Sequence, residues 1–519
     1  SIHIVKLATS VIYLLQPFGI YLYVRKNYTI NRLGPPMKIK KIKLINNPFF
    51  GNAEFDFIDA NGQLMDNVVL AGENGCGKTQ LLNIIYEFST LPTSGDVSVE
   101  KRIFTVMLSP AELQQINDNL EDSYKLISPT GEMDITIDFQ MQPGYWSRLK
   151  INYQSTVDGV TIERKSIDSS DLFARANVKS IFKAIFSTVE INYNPKDAST
   201  VTAKEIDEDV QTSVRSGTDL ASDIQQLLID IQDNDAHELQ AWVNDHVGMA
   251  PPESVRNRRI NRFKNAFSRV FSNLNFSRIS TENGKKKVFF KKDNHDVDIA
   301  SLSSGEKQIV FRGAFLLRNQ QSTKGSVILI DEPEISLHPT WQAKIYDYYR
   351  KLFTETDGTQ TSQMFFATHS QYVLCSALEN RTNTLIVLLQ HTGTNVEVKR
   401  ITAPLVLPTV TSAELNYVAF DIASNDYHIE LYGLLQNKIA LSRGSVDCSV
   451  KDCDTYITQQ VEYDPTLHRK PSAHIMPHRT TNYESLPTYI RNAIDHPDPS
   501  RTFTPEELRK SIELLIKLC

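Results

Sequence analysis

The chain has 519 residues, 41% hydrophobic and 22% charged, with a net charge of −6; such a length accommodates two to four domains, or one domain with large insertions. Its cysteines, Cys76, Cys375, Cys448, Cys453 and Cys519, are odd in number and widely scattered. That pattern excludes a disulfide framework and fits a reducing, cytoplasmic compartment.

Residues 4–24, IVKLATSVIYLLQPFGIYLYV, are apolar enough to be weighed as a membrane span with Arg25 and Lys26 as its basic flank. Lys6, Gln16 and Pro17 interrupt the run. Met37 opens MKIKKIKLINN, a strand-like start, so residues 1–36 read as an N-terminal extension. From Phe55 to Leu70 the strand pattern continues, with Gly62 of DANGQ at a hairpin turn. Val68 to Ala71 then run into GENGCGKT and LLNIIYEF, the order strand, glycine-rich loop, helix. In such a loop Gly72, Gly75 and Gly77 let backbone N–H groups converge on phosphate oxygens, with Glu73, Asn74 and Cys76 completing the cradle. Lys78 would reach the terminal phosphates and Thr79 would offer its hydroxyl to Mg2+, at a helix N-terminus that favours anions.

Residues 102–130 look partly helical, whereas DITIDFQ and RLKINYQ alternate as half-buried antiparallel strands around a turn at Pro143 and Gly144. Residues 199–252 are polar, acidic and largely helical, an insertion without the heptads of a long coiled coil. Between 254 and 292 the charge turns basic, from Arg256 to Lys292. This region is a candidate nucleic-acid contact, or else a solvated helix face followed by a hairpin at Asn283 and Gly284.

Three further motifs follow: LSSGEKQ at 302–308, VILIDEPE at 327–334 and FFATHS at 365–370. The apolar run from Val327 suits a buried parallel strand that delivers Asp331 and Glu332 to the carboxyl end of a sheet. Asp331 is placed to hold Mg2+ or its water shell and Glu332 to polarise an attacking water. His369, at the end of another such run, would reach the terminal phosphate; alone, a histidine there would read as structural.

Taken in this order over residues 37–401, the motifs resemble the ABC-type ATPases, in particular the soluble branch of chromosome-maintenance, double-strand-break-repair and bacterial antiphage ATPases. The resemblance implies an α/β P-loop head, with a mixed sheet, flanking helices and an antiparallel β subdomain, that uses ATP and Mg2+. It also implies a head-to-tail dimer or higher oligomer in which Ser303, Ser304, Gly305 and Glu306 cap the nucleotide of the partner, and a D-loop at 335–339. Here Ser304 stands for the family's first signature glycine and Glu306 for its glutamine. Gln114 and Gln115 are among several equal candidates for the Q-loop glutamine.

Residues 402–519 form a further, mainly helical region whose texture is similar to the ATPase subunit of the Septu antiphage system, also found as a retron effector. That resemblance implies a separately encoded HNH-type nuclease as partner and, in a retron, a reverse transcriptase with its RNA/DNA product. Two alternatives stand beside it. One is a DNA-repair ATPase of the same branch. The other is a self-contained ribonuclease, because Arg491 and His496 in RNAIDH resemble the R-x4-6-H pattern of HEPN enzymes, although a helix-end histidine and a paired arginine would look the same. Cys448, Cys453, His468, His474 and His478 lack the spacing of a tight zinc site.

Overall fold

The computed structural model describes residues 37–519 apart from 91–98, 123–124, 126–132, 142–146, 158–159, 169–174, 190–194, 196–197, 203–205, 207–212, 218, 253–254, 257–258, 269–273, 319–323, 356, 393–394, 403 and 477–478. Residues 1–36, with their candidate span, and the Pro143–Gly144 turn therefore lie outside the described residues. No helix among the described residues is long and apolar enough to cross a membrane.

Strands β1 (Lys38–Asn47) and β2 (Gly51–Asp56) form a hairpin, and β3 (Asn67–Ala71) leads through the glycine-rich loop into α1 (Lys78–Thr90). β4 (Lys101–Leu108) pairs with β1, so residues 102–108 are strand where a partly helical stretch was expected. The cause is a period of two, with Phe104, Val106 and Leu108 buried. The helix begins only at α2 (Pro110–Asn117), where Ser109 and Glu112 form a capping box. β5 (Met133–Met141), β6 (Ser147–Val157) and β7 (Val160–Asp168) complete an antiparallel sheet of order β2-β1-β4-β5-β6-β7.

After the short α3 (Ala176–Lys179), β8 (Ala184–Ser187) and β9 (Val214–Arg215) enter the central sheet. Of the expected insertion, α4 (Leu220–Asp245) is helical, whereas Val214 and Arg215 pair with β8 instead. α5 (Ile260–Phe267) precedes a small antiparallel sheet of β10 (Leu274–Glu282), β11 (Lys285–Lys292) and β12 (His295–Asp298). Its first turn is at Asn283 and Gly284, both with positive φ, as the sequence suggested.

The signature opens α6 (Ser304–Arg318), followed by β13 (Val327–Asp331), α7 (Pro339–Leu352), β14 (Met364–Thr368), α8 (Gln371–Glu379), β15 (Thr384–Thr392) and β16 (Asn395–Arg400). The central sheet runs β16-β15-β3-β14-β13-β8-β9, with β16 antiparallel to β15 and the other pairings parallel. Alternate residues of its strands feed two cores. Val69, Ile328, Ile330 and Phe366 face a core with α4, α6 and α7; Val68, Leu70, Leu329 and Phe365 face α1 and the antiparallel sheet. Burial on both faces is why these strands are continuous apolar runs. The architecture is the α/β head with an antiparallel β subdomain that the motifs implied.

The tail comprises α9 (Ser412–Phe420), α10 (Asn425–Ser442), α11 (Val450–Thr458), α12 (Pro465–His468), the hairpin β17 (Arg469–Met476) and β18 (Arg479–Ser485), α13 (Leu486–Asp495) and α14 (Pro505–Leu518). It has its own core around Tyr432, Leu435, Ile490 and Leu515. Val410, Leu415 and Ala419 pack instead into the head core, whereas Ala413 and Tyr417 pack against the tail core, so α9 joins the two.

Candidate nucleotide-binding and hydrolysis site

The glycine-rich loop lies at the carboxyl end of β3, between β14 and β15. Gly72 has φ +147°, and a Cβ there would lie 2.1 Å from the Leu389 carbonyl oxygen; Gly77 has φ +94°, and a Cβ there would meet the Phe49 ring at 2.4 Å. Neither position tolerates a side chain. Lys78 Nζ is folded into the loop and donates to the carbonyls of Gly72 and Glu73, each at 2.8 Å. Glu73, Asn74 and Gly75 are exposed, whereas Cys76 is buried and burial raises its thiol pKa.

Thr79 and Asp331 meet across the sheet, with Thr79 Oγ1 donating to Asp331 Oδ1 at 3.1 Å. Burial pushes Asp331 up to about 6, the Thr79 hydroxyl opposes this and the Glu332 charge adds to it. Two hard oxygens this close to a phosphate loop fit Mg2+, which a site of one or two protein ligands plus substrate phosphates ordinarily holds. The neighbouring Glu332 has φ +43°, a conformation that costs a non-glycine residue about 1 kcal/mol or more. Its amide donates to the Ala367 carbonyl at 2.9 Å.

His369 Nδ1 is 3.4 Å from Glu332 Oε1 and 3.4 Å from Glu334 Oε1. Buried Glu334 also accepts from Thr368 Oγ1 at 2.7 Å and from the His369 amide at 2.9 Å, which fixes the histidine backbone. The contact with Glu332 raises the His369 pKa, and the same contact lowers that of Glu332. Glu332 is half-buried and His369 exposed, so both side chains are available at the mouth of the site. Glu334 was not singled out from the sequence, although it closes the DEPE motif that names its neighbours.

At the signature, Ser303 and Ser304 are exposed at the N-terminus of α6. Gly305 is tightly covered: a Cβ would lie 2.8 Å from the Ser336 carbonyl. Glu306 departs from its expected place among nucleotide contacts, because its carboxylate points inward. It accepts from the Ser303 amide at 2.9 Å and from Ser303 Oγ at 2.8 Å, and lies 2.7 Å from Lys292 Nζ. Burial opposes its ionisation, but Lys292 and Ser303 outweigh that and hold its pKa below the usual value. The S-x-x-E spacing of SSGE is a capping box, a signal legible in the sequence but masked by the likeness to the family signature. Arg312, also missed, is fully buried on the same helix and binds the backbone of Asp331 and Glu332.

Gln114 and Gln115 lie on α2 and are engaged elsewhere, with Asp118 and with Asn177 and Ser180. In the basic region Arg259, Arg278, Lys286, Lys287 and Lys292 are paired with acids of this chain. That neutralisation weakens a phosphate-binding role. Arg491 is bonded to Asp495 at 2.6 Å, and His496 caps the end of α13 and stacks on His474 with ring centroids 5.9 Å apart. This is the arrangement of a paired arginine and a helix-end histidine. Among the described residues no cluster of three potential metal ligands occurs. The tail does approach the loop: Glu73, His391, Tyr417 and Asp421 line a cavity of about 340 Å³.

The family described as "AAA domain, putative AbiEii toxin, Type IV TA system" matches residues 68–375, from the strand before the loop to beyond His369. The chain belongs to this AAA-domain family. The AAA-domain chain is an ATPase. It is similar to the retron Ec83 probable ATPase of Escherichia coli, with 23% identity over 419 residues that cover 67% of this chain and 71% of the relative. Among solved structures it aligns with an SMC head bound to the C-terminal winged-helix domain of ScpA, at 14% identity and TM-score 0.40, covering 70% of this chain and 98% of that one. The SMC head domain of Thermotoga maritima aligns at 12% identity and TM-score 0.33, covering 70% of this chain and 99% of that one. At these scores the fold assignment rests on the strand order and motif placement described above.

Proposed function

We propose that the chain is the ATP-hydrolysing regulatory subunit of an antiphage defence complex and that ATP-dependent pairing of two heads controls a separately encoded HNH-type nuclease. In this reading the loop amides and Lys78 bind the phosphates, while Thr79 and Asp331 supply protein oxygens to Mg2+, which neutralises charge developing on the phosphates when bound. Glu332 orients the attacking water and His369 contacts the terminal phosphate. Ser303, Ser304 and the Gly305 amide of the second head close over that phosphate, with Glu306 holding the signature in shape rather than touching nucleotide.

The observation that carries hydrolysis is the Thr79–Asp331 contact with Glu332 and His369 paired beside it. The retron relative supports the defence role. The cavity shared by Glu73, Tyr417 and Asp421 supports the tail as the part that reads nucleotide state. A retron setting would add a reverse transcriptase and its RNA/DNA product as partners, and the Septu setting the nuclease alone. The experiment is co-expression with the HNH-type nuclease proposed as partner. A stable complex whose DNA cleavage changes between the parent, Lys78→Ala and Glu332→Gln supports the proposal. An active ATPase that neither binds nor controls the nuclease overturns it.

A further inference from the structure

Helix α6 touches the chain segment that carries the hydrolytic acids at three points along one face. At Gly305 the Ser336 carbonyl lies where a Cβ would be only 2.8 Å away; Gln308 Nε2 donates to the Pro333 carbonyl at 3.0 Å; Arg312 reaches the carbonyls of Asp331 at 2.6 Å and Glu332 at 3.1 Å. Positions 305, 308 and 312 recur at the spacing of one helical face. That face therefore follows the main chain from Asp331 to Ser336.

Arg312 is the strongest of these contacts. Its side chain is fully buried, and Nε also donates to Ser187 Oγ at 2.8 Å and Nη2 to the Ser187 carbonyl at 3.0 Å. One planar guanidinium thus ties the ends of β8 and β13 to α6, using donors in a fixed fork that an ammonium group cannot reproduce. Glu332, the residue in the unfavourable φ +43° conformation, is held from both sides, through its amide by Ala367 and through its carbonyl by Arg312. Such a conformation persists only where its surroundings over-determine it.

We infer that Arg312 is a positioning residue for ATP hydrolysis: through the backbone of Asp331 and Glu332 it sets the hydrolytic carboxylate and links it to the signature serines at the start of the same helix. The inference rests on the role proposed for Glu332. Because α6 is buried from Gly305 to Leu317, a displacement of its exposed N-terminus by a partner's nucleotide is transmitted as a rigid-body movement to the Glu332 carbonyl.

The test is a double-mutant cycle with nucleotide binding and single-turnover hydrolysis as separate readouts. Arg312→Lys keeps the charge and loses the fork; its hydrolysis rate is expected to fall about tenfold or more with nucleotide Kd changed less than about threefold. In the Glu332→Gln background Arg312→Lys is expected to cause no further loss, because both act through one carboxylate. Parental turnover by Arg312→Lys, a loss that multiplies with that of Glu332→Gln, or a parallel loss of nucleotide binding overturns the inference while leaving the role of Glu332 intact. Parental turnover by Glu332→Gln removes that role and the inference with it. If Arg312→Lys is insoluble, Arg312→Gln, which keeps an amide donor and loses the fork, takes its place: slowed hydrolysis with unchanged binding supports the inference, and a parental rate overturns it.

Discussion

Thr79 Oγ1 donates to Asp331 Oδ1 at 3.1 Å across 252 residues of sequence. The contact joins the residue that ends the glycine-rich loop to the residue that ends β13. Thr79→Val keeps the shape and removes the hydroxyl. It is expected to raise the Mg2+ concentration needed for half-maximal ATPase activity and to lower kcat by about tenfold or more, with the fold unchanged by circular dichroism. An unchanged Mg2+ dependence would take Thr79 out of the metal site.

The capping box gives Glu306 a structural role that its carboxamide can largely fill. Glu306→Ala leaves Ser303 and Lys292 without their shared partner and should lower stability by about 1–2 kcal/mol. Glu306→Gln preserves the box and should cost less than half as much. Urea midpoints of the two variants check this; a larger loss with Gln than with Ala would contradict it.

In the tail, His428 is completely buried, with Nε2 2.9 Å from Ser511 Oγ and, among the described residues, no hydrogen-bond partner for Nδ1. Burial pushes its pKa from the ordinary histidine value of about 6.5 down to about 3. A depressed histidine costs nothing above the unfolded pKa, where it is neutral in both states. As pH falls below about 6.5 the unfolded chain gains a proton that the folded tail refuses, and stability drops by about 1.4 kcal/mol per pH unit down to about 3. His428→Asn should flatten this acid slope relative to the parent. Equal slopes between pH 6 and 4 would show that His428 does not control it.

Where the chain can be cut follows from packing. Deletion after Ile401 removes Val410, Leu415 and Ala419 from the head core and should lower the head's Tm, whereas deletion after Ile422 retains α9 and should leave nucleotide affinity within about twofold of the parent. Differential scanning fluorimetry with and without nucleotide distinguishes the two. Equal behaviour of the two truncations would mean that α9 contributes nothing to the head.

Much of the site is legible in sequence because its chemistry is local. The loop glycines, Lys78 and Thr79 lie in one short stretch, and Asp331 and His369 end short apolar runs that suit buried strands. What escaped depends on distance or on competing patterns. KRIFTVML has the period of a strand, yet its polar neighbours downstream gave the stretch a helical look. Glu306 obeyed a capping rule that the family likeness obscured. Arg312 is a lone charge within IVFRGAFLL; that such a residue needs partners is evident, but the carbonyls it finds lie on strands brought to it by the fold, Ser187 being 125 residues away.

In the proposed function two heads close on ATP and Glu332 reopens them by hydrolysis. The most direct test is the mass in solution, by light scattering coupled to size exclusion, of Glu332→Gln with and without ATP and Mg2+. The account predicts a shift to twice the nucleotide-free mass that persists with bound ATP, is lost in Ser303→Arg and fails in Lys78→Ala for want of nucleotide. A Glu332→Gln chain that binds ATP stoichiometrically yet keeps its nucleotide-free mass would contradict it.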